Sequence, residues 1–211
     1  MNKDKYISFN VIRRLPKYHS YLADLKEKGV SKVSSKELSK ITGFTASQIR
    51  QDLNNFGGFG IQGTGYEVEG LYTELSQILG LNSTLSAVIF GAGNLGHAIA
   101  NYTGFNKFDI NIKAIFDVNK DMIGRKIKNT IVMDLKDAKK YIDDNKVKIA
   151  IICTPKDAVS GVVDIINKTK IKGVWNFAPT DLKLNKNIKV ESVNLLNSLF
   201  VLSYLVKAND M

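Results

Sequence analysis

The sequence predicts an α/β chain in three parts: a winged helix over residues 1–80, a Rossmann-type parallel sheet over 81–190, and a terminal helix over 191–211. Three observations lead there. Two short helices, each opened by a capping sequence, run into a glycine-rich ribbon. A G-x-G-x-x-G segment directly follows an apolar run, and from residue 85 onward apolar runs alternate with helical stretches.

Helix one is read from Pro16, placed in a first turn where its missing N–H costs nothing. Tyr18, Leu22 and Leu25 recur at helical spacing, and Gly29 closes the helix. Ser34-Ser35-Lys36-Glu37 is an S-x-x-E capping box, so a short helix follows with Leu38 and Ile41 inward, and Gly43 ends it. Thr45-Ala46-Ser47-Gln48 repeats the box and launches a third helix with Ala46, Ile49, Leu53 and Phe56 on one face. Two helices across so short a turn make a helix-turn-helix. The outer face of the third helix presents Ser47, Arg50, Gln51 and Asn54, with Asp52 the acidic residue nearby; it suits a major groove, and equally a solvated helix face. Five glycines between Gly57 and Gly65 fit a tight exposed hairpin, read as a wing beside that helix. An amphipathic helix from Gly70 to Gly80 (Leu71, Leu75, Ile78, Leu79) and the polar connector 81–84 complete the first part.

After the connector, the runs Leu85–Phe90, Ile110–Phe116, Lys148–Cys153 and Ile171–Phe177 are read as parallel strands. Gly91-Ala92-Gly93-Asn94-Leu95-Gly96 follows the first of them and opens a helix. Its glycines allow a tight turn and close backbone approach to a pyrophosphate, while the helix N-terminus offers N–H groups to the phosphates. The second strand ends in Asp117, 21 residues past Gly96, where a carboxylate bonds ribose hydroxyls and repels a 2′-phosphate. NAD(H) is therefore the expected nucleotide. Thr154-Pro155 and Asn176-Phe177-Ala178-Pro179, at two further strand ends, are expected to flank the same crevice. Each proline also fits a plain turn.

Composition narrows the function. With 44% hydrophobic and 24% charged residues the chain is neither disordered nor fibrous. No run approaches the roughly 20 apolar residues that span a bilayer. The start MNKDKYISFN lacks the apolar stretch of a secretory leader, so a cytoplasmic protein without a membrane partner is expected. One cysteine, Cys153, and two histidines exclude a disulfide framework and a four-ligand zinc site, and no metal is expected. The net charge is +10, and the first 56 residues carry 11 basic against 5 acidic side chains, a surplus of six that favours the N-terminal part as a polyanion contact. An oxidoreductase would need a substrate domain and a proton-transfer group; 32 residues follow Pro179, no Tyr-x-x-x-Lys pair occurs, and neither His19 nor His97 is placed for the role. No catalytic residue is expected. A nucleotide-sensing domain of a transport system would leave the winged helix without a task. Leu195–Val206 has nine apolar residues in twelve and must be buried on nearly all sides, against a second subunit or back on its own chain.

The motifs RRLPKY, SSKEL, TASQIRQDLNNFGGFG, QGTGY, VIFGAGNLGHAIANYTGF, IFD and GVWNFAP, in this order and across almost the whole chain, resemble the Rex family of redox-sensing transcriptional repressors. The resemblance implies a homodimer with a C-terminal helix swapped between subunits. It implies binding to double-stranded operator DNA when NADH is scarce, release as NADH rises against NAD+, and no hydride transfer. Nucleotide contacts then fall on Gly91 to Gly96 and Asp117, with Tyr102 near the nicotinamide. DNA contacts fall on Arg13, Arg14, Lys17 and Tyr18 of helix one, Ser34 and Ser35, then Thr45, Ala46, Ser47, Gln48, Arg50 and Gln51, and Phe59, Gln62, Gly63 and Tyr66 of the wing. Four positions depart from the family pattern. Gln51 and Gln62 stand where basic residues are usual, which flattens the salt dependence; Ser20 and Asn194 stand where an arginine and an aspartate are common, so a charge pair between those elements is missing.

Overall fold

Ser8 opens the first helix, its hydroxyl accepting from the Val11 N–H, so α1 runs over Phe9–Glu27. In this computed structural model, which describes residues 7–57, 60–61 and 65–209, the chain divides into two compact units, 1–83 and 84–211. Pro16 lies in the middle of α1 and not in its first turn. Both Pro16 and Ile12, whose carbonyl loses its partner to the proline, stand on the exposed side, where water replaces the missing bond.

In the first unit β1 (Lys32–Val33) precedes α2 (Ser35–Thr42), whose Ser34–Glu37 capping box is complete and whose Gly43 stop has φ 77°. Leu38 and Thr42 are the residues α2 buries; Ile41, expected inward, is exposed. Thr45 caps α3 (Ala46–Asn54) by accepting from Gln48 N–H. The two strands β2 (Gly60–Ile61) and β3 (Gly65–Glu67) form an antiparallel hairpin, and β3 also pairs with β1. Gly65, at φ 79°, is needed for its shape as well as its φ, since a Cβ there would sit 2.7 Å from the Val33 carbonyl oxygen. Next comes α4 (Val68–Ile78), two residues earlier than expected. Leu15, Tyr18, Leu22, Leu38, Ile49, Leu53 and Leu75 make one core, each fully buried aliphatic side chain contributing about 1.5–3 kcal/mol.

The second unit is built on β4 (Leu85–Phe90), α5 (Asn94–Asn101), β5 (Ile110–Asp117), β6 (Lys126–Ile127), β7 (Thr130–Asp134), α6 (Ala138–Asp144), β8 (Ile149–Ile152), α7 (Val159–Asn167), β9 (Gly173–Asn176), β10 (Lys189–Ser192) and α8 (Leu195–Asn209). The sheet order is β10-β9-β8-β4-β5-β7-β6, all parallel except β6 on β7. Counted in chain order the six parallel strands lie 3-2-1-4-5-6, so the order reverses between β4 and β8 and leaves a crevice beyond their carboxyl ends. Successive residues of a strand face opposite sides: Val88 and Phe90 pack under α6 and α7, while Ala87 and Ile89 pack under α5. Both faces are covered, which explains the unbroken apolar runs. The apolar side chains of α8 are exposed from Leu195 to Val206, so it does not pack back on its own unit.

Candidate functional site

The glycine turn joins β4 to α5. Gly91 takes φ 102°, and a Cβ on it would come within 2.9 Å of the Cys153 carbonyl oxygen. A Cβ on Gly96 would run into the carbonyl oxygen of Gly91. No side chain other than hydrogen fits at either position, so the backbone of the turn stays open to a ligand. Gly93 caps α5, whose first turn carries no acidic residue, leaving its N–H groups and dipole for an anion. At the end of β5 the Asp117 carboxylate accepts from Ala92 N–H (2.6 Å) and Asn119 N–H (2.8 Å), which fixes it beside the turn.

These groups line a cleft of about 840 Å³. Of the residues expected there, Gly91, Gly93, Leu95, Asp117, Thr154, Pro155 and Phe177 line it; Ala92, Gly93, Asn94 and Asp117 also border an adjoining recess of about 300 Å³. Thr154 Oγ1 is buried and bonds to nothing among the described residues, a polar atom that a ligand's hydroxyl or amide would satisfy. Burial pushes the Cys153 thiol up to about 12, so it stays protonated and uncharged on the cleft wall. The glycine cradle, the helix N-terminus, the carboxylate and the unsatisfied hydroxyl together fit a dinucleotide.

Four residues expected at this cleft, Asn176, Ala178, Pro179 and Tyr102, lie outside its lining. Asn176 is 1% exposed, and its amide donates to the Thr180 carbonyl and Ser192 Oγ while its Oδ1 accepts from Ala178 N–H. It braces the loop and does not line the cleft, nor does buried Ala178 or exposed Pro179. Tyr102 is exposed beyond α5, with its ring edge-on to Phe105 and over Gly104, and lines no part of the cleft. Ser160, Gly161 and Val162, at the start of α7 and not expected from the motifs, also line the cleft; the glycine inside that helix is the signal that could have found them.

In the first unit, Thr45, Ser47, Arg50, Gln51 and Asn54 are exposed on α3, with Ala46 and Gln48 partly so. Arg50 donates to Ser35 Oγ (2.9 Å), which holds its guanidinium near the start of α2, where Ser34 is occupied by its cap. Arg13 and Lys17 are exposed on α1; the guanidinium of Arg13 lies over Phe9 and the Lys17 ammonium over Phe44. Arg14, Tyr18 and Tyr66 are not surface contacts of this kind. Arg14 and Tyr18 turn inward to Asp52, and Tyr66 is 7% exposed in the core because β3 directs it inward. Asp52 itself, expected near the outer face, is 2% exposed. Phe59, Gln62 and Gly63 lie outside the described residues. Ser20 is exposed, and Asn194 accepts from Leu196 N–H at the start of α8.

Known proteins carry the same arrangement. A family model described as a CoA binding domain matches residues 82–180, and one described as a putative DNA-binding protein N-terminus matches residues 6–54. The redox-sensing transcriptional repressor Rex of Clostridioides difficile (strain 630) is 57% identical over 97% of this chain and 97% of its own length. That of Thermoanaerobacter sp. (strain X514) is 50% identical over 100% of this chain and 94% of its own. Among solved structures, RSP in complex with β-NAD+ and operator DNA superposes with a TM-score of 0.92 at 50% identity, covering 98% of this chain and 95% of that one. RSP in complex with β-NADH gives 0.90 at 48%, covering 98% and 97%. These relatives are named as repressors and not as enzymes, and on identity and coverage alike the chain belongs to the Rex family of redox-sensing transcriptional repressors.

Proposed function

We propose that the protein is a cytoplasmic, homodimeric repressor that holds palindromic operator DNA while NADH is scarce and lets go of it when NADH occupies the cleft. The observation that carries this reading is the pairing in one chain of an exposed polar face on α3 with a glycine cradle flanked by Asp117. RSP, half identical to this chain, has been solved in complex with operator DNA and β-NAD+ and in complex with β-NADH, which supports both ligands. Working units are 1–80 for DNA, 81–190 for nucleotide and 191–211 for dimerisation. No helix among the described residues is long and apolar enough to cross a membrane.

Gly91, Gly93 and Gly96 leave backbone room for the pyrophosphate, the α5 N-terminus faces its charge, Asp117 takes the ribose hydroxyls, and Thr154 supplies a further polar contact. Thr45, Ser47, Gln48, Arg50 and Gln51 read the major groove. Bound dinucleotide supplies a redox-dependent charge, since the oxidised ring is cationic and the reduced ring is not. The protein consumes neither form and acts by differential affinity.

A coupling of about 1–3 kcal/mol changes operator affinity roughly 5- to 150-fold, and DNA must weaken NADH binding by the same factor. Titrating an operator complex with each nucleotide at fixed salt tests this. NADH should release the DNA at concentrations where NAD+ does not; equal release by both overturns the reading. Deleting residues 1–80 should abolish operator binding and keep nucleotide binding.

A further inference from the structure

The side chains that α3 buries are Asp52, Ile49 and Leu53, with Ile49 between the other two in helical projection. Apolar contacts with Ile49 and Leu53 hold the helix down but are non-directional. Asp52 is different. Arg14 donates from Nε to Oδ2 (2.6 Å) and from Nη2 to Oδ1 (2.7 Å), a side-on fork, and the Tyr18 hydroxyl donates to Oδ2 (2.7 Å). Three directional bonds from α1 therefore converge on one carboxylate of α3. The same two residues reach the preceding turn: the Tyr18 ring meets Phe44 edge-on at 5.6 Å, and the Arg14 guanidinium lies 5.9 Å from the centre of that ring.

A buried ion pair is poor evidence for stability, because well-packed apolar residues of similar volume serve as well or better. What the pair adds is angular definition. At a side-chain radius of about 5–6 Å, a roll of roughly 15° carries the tip of a helix residue by about 1.5 Å. That is enough to break a hydrogen bond to a base edge, whose donor–acceptor range spans only about 2.7–3.2 Å. Arg14, with its charge offset by Asp52 and its fork engaged, is also not available as a simple phosphate contact.

We infer that Asp52 is a positioning residue of the recognition helix: clamped by Arg14 and Tyr18, it sets the roll of α3 so that Ser47, Arg50 and Gln51 meet base edges. This rests on the DNA-reading function proposed above. It separates sequence discrimination from general DNA affinity, which a loss of folded protein would not do.

The test uses the full chain, a duplex enriched from a random-sequence pool by the unaltered protein, and a scrambled duplex of equal length. Asp52→Asn removes the ion pair, and Arg14→Lys keeps the charge but loses the fork. Each should bind the enriched duplex about tenfold more weakly, while affinity for the scrambled duplex does not fall. Tyr18→Phe, which deletes a single hydroxyl and keeps the ring on Phe44, should lose about threefold on the enriched duplex alone; it carries the test if the charged-pair variants melt at the assay temperature. NADH affinity should stay within twofold throughout. Equal losses on both duplexes, or undiminished discrimination, overturn the inference while leaving the repressor function intact. If the unaltered protein enriches no duplex, that function falls and the inference with it.

Discussion

Asp117 carries two backbone hydrogen bonds before any ligand arrives, from Ala92 and from Asn119, so its carboxylate is oriented in advance. In the proposed complex, each charge-assisted bond from this carboxylate to a ribose hydroxyl would be worth about 1.5–3 kcal/mol. Asp117→Ser should weaken NADH binding about 10- to 150-fold and reduce the penalty against NADPH, as measured by calorimetric titration with both nucleotides; unchanged NADH affinity would remove Asp117 from the site. Cys153 gives an opposite kind of prediction. With its thiol raised to about 12 by burial, the thiolate population at pH 8 is about a thousandfold below that of an ordinary cysteine. Iodoacetamide should therefore label Cys153 slowly at pH 8, and peroxide should leave NADH response unaltered. Labelling at the rate of an exposed cysteine would mean that the thiol is neither buried nor held protonated.

Among the helices, α1 and α4 meet across a buried polar pair, His19 Nε2 and Ser76 Oγ at 2.9 Å, with the His19 ring stacked on Tyr72. Burial lowers the His19 pKa below its ordinary 6.5. The unfolded chain then binds a proton more readily than the folded one, so stability is complete above about pH 6.5 and declines as pH falls through that value toward the folded pKa. Amides of α1 and α4 should lose hydrogen-exchange protection between pH 7.5 and 5.5, after correction for intrinsic rates, and His19→Gln should flatten that dependence; a slope that survives the substitution would clear His19. These elements also mark what a sequence can announce. Capping boxes and glycine stops act over three or four residues, so α2, α3 and the β4–α5 turn were readable, as was the placement of Gly91, Gly96 and Asp117. Arg14 and Asp52 are 38 residues apart, and nothing local distinguishes a basic residue facing DNA from one facing a buried carboxylate. Likewise β10 is wholly exposed and β6 is two residues long, so neither shows the apolar run by which the central strands were recognised. Asn176 reads as a site residue in the string because its three loop-bracing bonds exist only once the loop has closed.

At the scale of the whole molecule, the proposed dimer rests on α8. Its nine apolar side chains between Leu195 and Val206 are each more than half exposed, on every side of the helix. Covering them is worth on the order of 10 kcal/mol, since burying one such side chain fully contributes about 1.5–3 kcal/mol and roughly half of each remains to be covered. A lone chain leaves that free energy unused, whereas two copies exchanging α8, as proposed, would recover it twice. A palindromic operator presents two half-sites, so dimerisation also doubles the protein–DNA contact without any new residue. Replacing Leu199 and Leu202 together with Asp puts two charges into the covered surface. The variant should sediment as a monomer at micromolar concentration, with dimer dissociation raised at least about a hundredfold, as each buried unpaired charge costs several kcal/mol. NADH binding to the glycine cradle should persist if the cleft is complete within one chain, while operator affinity should drop to that of a single half-site. A variant that still sediments as a dimer would mean that the subunits join elsewhere and that α8 has another partner.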